Sequence, residues 1–183
     1  MVVLSGASAS GKTEVAKLLA KTFGITKIIT TTTRAMRVNE VNGKDYFFVS
    51  VDEFKKMIED ERFVEYTFYN NNFYGSTKDQ IKDNRCLVID PKGLLAYMSL
   101  KDPRIVTFYL EVSEETRYKR MINRGDNIED AKKRILNDRV VFTKDVSSKV
   151  DFIIDNENNS LDEVTKIVFD IYKEELKKRQ LEK

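Results

Sequence analysis

Gly6-Ala7-Ser8-Ala9-Ser10-Gly11-Lys12-Thr13 organises this chain. The stretch fits G-x-x-x-x-G-K-[ST], a loop that wraps phosphate. Glycine lets the backbone turn tightly and bring successive N–H groups within reach of phosphate oxygens. Lys12 would reach terminal phosphates as a point charge, and the Thr13 hydroxyl suits Mg²⁺. The flanks agree. Val2-Val3-Leu4 is a short apolar run, expected as a buried strand. After the loop, Val15, Ala16, Leu18, Leu19 and Phe23 recur at helical spacing, with Gly24 as a stop. Strand, glycine loop and helix is the order that aims a helix N-terminus at an anion.

Composition narrows what such a loop can serve. A chain of 183 residues is expected to form one globular domain with a sizeable core. Lysine plus arginine (32) nearly balances aspartate plus glutamate (30), so the net +2 points to no nucleic-acid surface. With no histidine, imidazole acid–base work, His-based triads and the common zinc sites are excluded. One cysteine, Cys86, lies in an apolar run and is expected in the core, with no disulfide framework. Phosphoryl transfer survives these exclusions, because it depends on positioning and charge. No apolar run approaches the roughly 18 residues of a membrane span, and no signal-peptide pattern opens the chain. A cytoplasmic protein without membrane partners is expected, as monomer or homodimer.

Downstream, Ile25 to Ile29 reads as a second strand, followed by Thr30-Thr31-Thr32-Thr33-Arg34. The threonines read equally as an edge strand or, with Arg34 and Arg37, as a second phosphate site. Tyr46 to Val49 is a strand, and Ser50-Val51-Asp52-Glu53 a capping box opening a helix whose apolar face is Phe54, Met57 and Ile58. Phe63 to Tyr69 and Phe73-Tyr74-Gly75 flank Asn70-Asn71-Asn72, which tolerates the left-handed conformations of a hairpin turn. Thr77-Lys78-Asp79-Gln80 reads as a second capping box. Cys86 to Ile89 is expected as a central parallel strand ending at Asp90, where ligands sit in open parallel sheets. Asp90 is equally an N-cap with Pro91 at the first helical position. Ile105 to Leu110 is a further strand, and helices follow from Ser113 to Arg124 and from about Ile128, the second carrying Arg134 and Arg139. Such charge-dense helices are most simply solvated faces. Phe152-Ile153-Ile154 is a last short strand, and Ser160-Leu161-Asp162-Glu163 a third capping box. Leu161, Val164, Ile167, Val168 and Ile171 form the expected buried stripe of the closing helix, whose charged end, Lys173 to Lys183, is expected to fray.

Several motifs in one order are more specific. Thr32-Thr33-Arg34 and Arg37, then Glu40-Val41-Asn42-Gly43-Lys44-Asp45-Tyr46-Phe47-Phe48-Val49-Ser50, resemble the nucleotide-monophosphate-binding insert of the guanylate kinases. Phe63-Val64-Glu65-Tyr66, Asn72-Phe73-Tyr74-Gly75-Ser76, Arg120, Arg124-Gly125, Arg134 and Asp151-Phe152-Ile153-Ile154-Asp155-Asn156 continue the likeness over nearly the whole chain. The resemblance implies a P-loop NTPase fold, α/β with a central parallel sheet flanked by helices. Residues 1–33 and 82–183 would form the core, 34–81 a small mixed insert, and about 118–140 a helical lid.

It also implies an enzyme that phosphorylates GMP, and dGMP, from ATP with Mg²⁺. Thr30, Arg34, Arg37, Tyr46 and Tyr74 would bind the GMP phosphate, which decides for the second phosphate site. Glu65 and Ser76 would read guanine, whose N1–H and N2–H₂ donors a carboxylate accepts in parallel. The loop from Gly6 to Thr13 would hold ATP, with Thr13 and Asp90 at the metal, Asp90 also near the acceptor, and Asn156 near adenine. Lys12, Arg34, Arg120, Arg124 and Arg134 would act on the transferring group.

The chain departs from the family pattern in places. Ala7 and Ala9 replace the usual proline and glycine. Val88-Ile89-Asp90 replaces Asp-Ile-Asp, losing a carboxylate implied in guanine recognition. Pro91-Lys92-Gly93 replaces hydrophobic-Gln-Gly, and the lid is one residue shorter between Gly125 and Arg134. A kinase of the same architecture with another phosphorylated acceptor, and a non-catalytic binding module, are the alternatives.

Overall fold

The computed structural model describes residues 1–181. Strand β1 (Val2–Ser5) is wholly buried and leads through the glycine loop into α1 (Lys12–Phe23). Gly24 ends α1 in the left-handed conformation (φ 68°), as a C-terminal glycine stop should. β2 (Thr26–Lys27) is shorter than expected, although Ile25 and Ile28 beside it are buried. Together with β7 (Arg85–Val88), β8 (Val106–Glu111) and β9 (Phe152–Asp155) these strands form a five-stranded parallel sheet in the order β2-β7-β1-β8-β9. β1 lies at its centre. Because both faces are covered, its central strands are continuous apolar runs rather than alternating ones. Cys86 is buried there, and burial pushes its thiol up to about 12.

A second, mixed sheet carries the insert. Its strands are β3 (Thr31–Thr32), β4 (Phe47–Phe48), β5 (Phe63–Tyr69) and β6 (Asn72–Thr77), in the order β4-β3-β6-β5. Thr31 and Thr32 are drawn into it by pairing with Gly75 and Tyr74, so this sheet begins just before Arg34. The β5–β6 turn places Asn70 (φ 47°) and Asn71 (φ 60°) in the left-handed region, and Asn72 already starts the return strand. Helix α2 (Val51–Glu59) opens on the expected capping box and seats Phe54 between Phe63 and Phe73, with centroids 4.4 and 5.2 Å away.

The capping box expected at Thr77–Gln80 does not form. Thr77 makes no side-chain cap, and Lys78–Gln80 is a single 3₁₀ turn. Gln80 is instead buried, where its Oε1 accepts from the Ile29 amide at 3.3 Å, so that oxygen is not free for the Thr77 amide.

The remaining helices are α3 (Pro91–Ser99), α4 (Glu114–Asn123), α5 (Ile128–Val141), the single turn α6 (Lys144–Ser147) and α7 (Leu161–Leu181). α7 opens on its capping box, Ser160 with Glu163. Its buried stripe is Val164, Val168, Tyr172 and Leu176. Val164 and Val168 are as expected, but Leu161 and Ile167 are exposed and Ile171 only flanks the core.

The stripe also reaches past Lys173. Arg179 donates to the Ile105 carbonyl (2.7 Å) and pairs with Asp151 (2.8 Å), which docks the turns expected to fray; Glu182 and Lys183 lie outside the described residues. Among the described residues no helix is long and apolar enough to cross a membrane.

Candidate active site

Gly6 (φ 143°), Ala9 (φ 59°) and Gly11 (φ 93°) take positive φ, turning the loop between β1 and α1 over the start of α1. Gly6 has no room for a side chain, since a Cβ there would lie 2.7 Å from the Leu110 carbonyl oxygen. Ala9 takes a left-handed conformation despite its methyl group, which packs against the small core of Met121, Ala131 and Ile135 between α4 and α5.

Lys12 folds back over the loop, donating to the carbonyls of Gly6 (2.6 Å) and Ala7 (2.8 Å) and to the Ser10 hydroxyl (3.3 Å). Burial lowers its ammonium to about 8; Asp138 opposes that shift and Arg117 adds to it. A bound phosphate would favour the charged form again. Asn156 is buried beneath the loop, its Nδ2 donating to the Ser10 carbonyl at 2.8 Å, and its Oδ1 has no partner.

A cleft of about 400 Å³ opens here, lined by Ala9, Gly11, Lys12, Thr13, Arg120, Arg124, Asn156 and Leu161 among others. The structure thus brings the loop, Asn156 and two expected lid arginines to one place. Arg120 donates to the Asn156 carbonyl at 2.8 Å. Arg124 grips both oxygens of Asp126 (2.8 and 2.6 Å), and Arg134 reaches the same carboxylate at 3.0 Å. Arg134 therefore stands beside Arg124 rather than among the residues lining the cleft. The Ser8 amide is taken from outside the loop, by Asp138 at 2.8 Å, whereas the Ser10 amide donates within it, to the Ala7 carbonyl at 3.2 Å.

The insert gathers a second set. The Arg34 guanidinium lies 5.3 Å from the Tyr46 ring and 5.6 Å from the Phe48 ring, and pairs with Glu40 at 2.6 Å. Glu40 also accepts from the Arg37 amide (2.8 Å), and Tyr74 packs edge-on against Tyr46 (6.2 Å). A cation held against aromatic rings and paired with one carboxylate has the chemistry to take a phosphate in that carboxylate's place. Thr30 adjoins this group through its carbonyl, which accepts from the Phe47 amide, while Arg37 is exposed.

A third group lies across the β5–β6 pair, where Glu65 and Ser76 are register partners. The Ser76 hydroxyl donates to Glu65 Oε1 at 2.6 Å. Burial raises the Glu65 carboxyl above its ordinary range; the Ser76 hydrogen bond opposes this, the Asp90 charge adds to it, and Lys92 opposes it. Asp90 caps α3, accepting from the Gly93 amide at 2.8 Å, with Pro91 at the first helical position. It is not among the residues lining the cleft beside the glycine loop. Val88 packs against the core cluster that contains Leu4, Val15 and Val168.

Two buried residues escaped sequence reading, Arg117 and Asp138. Both were legible in principle: Arg117 precedes buried Met121 by four positions, and Asp138 follows Ala131 and Ile135 on one helical face.

Comparison with known proteins identifies the family. The guanylate kinase family model matches residues 1–175. The chain is 35% identical to a guanylate kinase of Wigglesworthia glossinidia brevipalpis, covering 90% of this chain and 84% of the relative. It is 31% identical to one of Wolbachia pipientis wMel, covering 97% and 92%. The crystal structure of guanylate kinase from Anaplasma phagocytophilum superposes with a TM-score of 0.63 at 26% identity, over 96% of this chain and 85% of that one. The chain belongs to the guanylate kinase family, enzymes that phosphorylate GMP to GDP with ATP.

Proposed function

We infer that this chain carries out the family reaction with the three groups described, taking GMP and dGMP as acceptors. The observation that carries the acceptor assignment is the partly buried Glu65 carboxylate, whose hydrogen-bonding partner is the neutral hydroxyl of Ser76. Guanine offers N1–H and N2–H₂ side by side, and Glu65 would accept both with charge assistance. Adenine has an acceptor at N1 and would leave the carboxylate unpaired. Sites built on such hydrogen bonds discriminate by up to about 10⁴–10⁵. Asp90 and Lys92 are near enough to act on Glu65 electrostatically, whereas Val88 packs into the core. Base reading therefore falls to Glu65, Ser76 and Asp90, with Val88 outside that set.

Arg34, Tyr46 and Tyr74 would hold the GMP phosphate, Glu40 giving way to it, with Arg37 and Thr30 at the edge. The loop amides and Lys12 would hold the ATP phosphates beside Arg120 and Arg124, with Asn156 toward adenine. An oxygen of the GMP phosphate attacks the γ-phosphorus in line. The bond from that phosphorus to the β–γ bridging oxygen breaks, and ADP leaves with the electron pair. No general base is required, because the acceptor phosphate is already anionic near neutral pH. Arg124 and Arg134 now share Asp126, so a phosphoryl group reaching them competes with that carboxylate. Closing the lid over the cleft would keep water from the γ-phosphate.

Mg²⁺ fits this arrangement as a passenger of the nucleotide. Among the described residues no group of three or more acidic, cysteine or histidine side chains is placed to hold a metal. Mg²⁺ in kinases is held by one or two protein oxygens together with phosphates and water, and it neutralises charge on the phosphates. The Thr13 hydroxyl, exposed in the cleft, would be one such oxygen. Asp90 is better placed for the base than for the metal. We place the reaction in the cytoplasm, where both nucleotides are made available.

A coupled ADP-release assay with ATP and Mg²⁺ against GMP, dGMP, AMP, CMP and UMP tests the assignment. Turnover with GMP and dGMP alone is expected. Comparable activity across the bases would refute Glu65 as reader, and no activity with any nucleotide would point to another phosphorylated acceptor.

A further inference from the structure

Helices α4 and α5, the expected lid, rest on the phosphate loop at three points. The Ala9 methyl packs on their shared core, and the Phe142 ring at the end of α5 lies 6.0 Å from Lys12 Nζ. One turn before Phe142, Asp138 accepts from the Ser8 amide (2.8 Å) and the Ser8 hydroxyl (3.1 Å). Asp138 is held from the other side by Arg117 of α4, Nη1 to Oδ2 at 2.6 Å, with each side chain only 5% exposed. Arg117 Nη1 also reaches the Ser8 carbonyl at 3.4 Å.

The reaction outlined above uses neither residue. As packing alone the pair makes poor sense, since apolar side chains of like volume often hold two helices as well as a buried ion pair does. An apolar pair could not accept the Ser8 amide. That amide would otherwise be a partly buried donor without a partner, or free to turn toward the nucleotide.

We propose that Asp138, clamped by Arg117, is a positioning residue of the phosphate loop: it fixes the Ser8 peptide and hydroxyl, so that the loop amides after it stay aligned for ATP and move as one body with the root of the lid. This rests on the assignment of the loop to ATP. Its effect should therefore fall on ATP binding and spare the GMP side.

The test is calorimetric binding of a Mg²⁺-loaded non-hydrolysable ATP analogue, with kcat and both KM values. It compares wild type, Lys12→Ala, Asp138→Ala and the double variant Arg117→Leu/Asp138→Ala. The double variant leaves no lone buried charge, so its melting temperature should return to within a few degrees of wild type. Losing the charged acceptor of Ser8 should still raise the analogue Kd and the KM for ATP about tenfold, with the KM for GMP unchanged. Wild-type ATP affinity in a double variant that melts like wild type would overturn the proposal and leave the pair as packing. Normal binding by Lys12→Ala would instead remove the loop assignment on which the proposal stands. Weakened binding by Lys12→Ala beside an unaffected double variant sinks the role of Asp138 alone.

Discussion

Glu65→Gln separates reading of the base from every other contribution to this site. The two side chains are nearly isosteric, so the β5–β6 pair should keep its register, and the variant, freed of a partly buried charge, should melt no lower than wild type. In the wild type, Ser76 donates to Oε1 at 2.6 Å and so orients the carboxylate. A glutamine in the same rotamer has one acceptor and one N–H₂ where guanine needs two acceptors. One charge-assisted hydrogen bond disappears, about 1.5–3 kcal/mol, and a donor–donor conflict of about 1 kcal/mol or more replaces it. Together these are about 2.5–4 kcal/mol, or a fall of about 10²–10³ in kcat/KM for GMP. The coupled ADP-release assay should show that fall with the KM for ATP within a factor of about two. The ratio of GMP to AMP efficiency should shrink by a similar factor. A kcat/KM for GMP within about threefold of wild type, from a folded variant, would refute Glu65 as the reader.

Three further outcomes are expected. Because the Glu65 carboxyl is raised by burial and ionised Glu65 is the form that accepts from guanine, the KM for GMP should climb as pH falls through a value above the ordinary carboxylate range; a GMP KM flat down to that ordinary range would contradict it. The stability sign is separate. Glu65 costs stability while ionised, and that cost is relieved as pH falls through its raised value. Gly6→Ala puts a Cβ 2.7 Å from the Leu110 carbonyl oxygen at φ 143° and should lower stability by about 2 kcal/mol or more in urea titration, with loss of ATP binding. Arg179→Ala removes the partly exposed pair with Asp151 and the bond to the Ile105 carbonyl, and should cost about 1–2 kcal/mol with kcat unchanged, read by thermal melting and steady-state rates.

The local elements were legible because their signals are local. The glycine loop, the αL stop at Gly24, the capping boxes at Ser50 and Ser160 and the left-handed asparagines each depend on a few neighbouring residues. Order along the chain was also enough for the family likeness, from which the roles proposed for Glu65 and the lid arginines follow. Failures came where a side chain was claimed from a distance. Gln80 looked like the end of a capping box until the Ile29 amide, far off in sequence, took its oxygen. The stripe of α7 kept Val164 and Val168 but continues through Tyr172 and Leu176, because α1 and the sheet beside it decide which face is covered.

Spacing can flag Arg117 and Asp138 as buried, but the folded chain is what shows the partner of each charge. A run such as α4 and α5 reads as solvated faces, since charge density in sequence says nothing of what packs against it. Folding buries Arg117 and Asp138 against the phosphate loop, and leaves Arg124 and Arg134 sharing one exchangeable carboxylate. Sequence by itself determined that the chain holds phosphate and how its strands and helices alternate, because those depend on backbone geometry and periodicity. Which charges are paired, buried or free for a ligand depends on distances between segments far apart in the chain, and only the closed fold sets those.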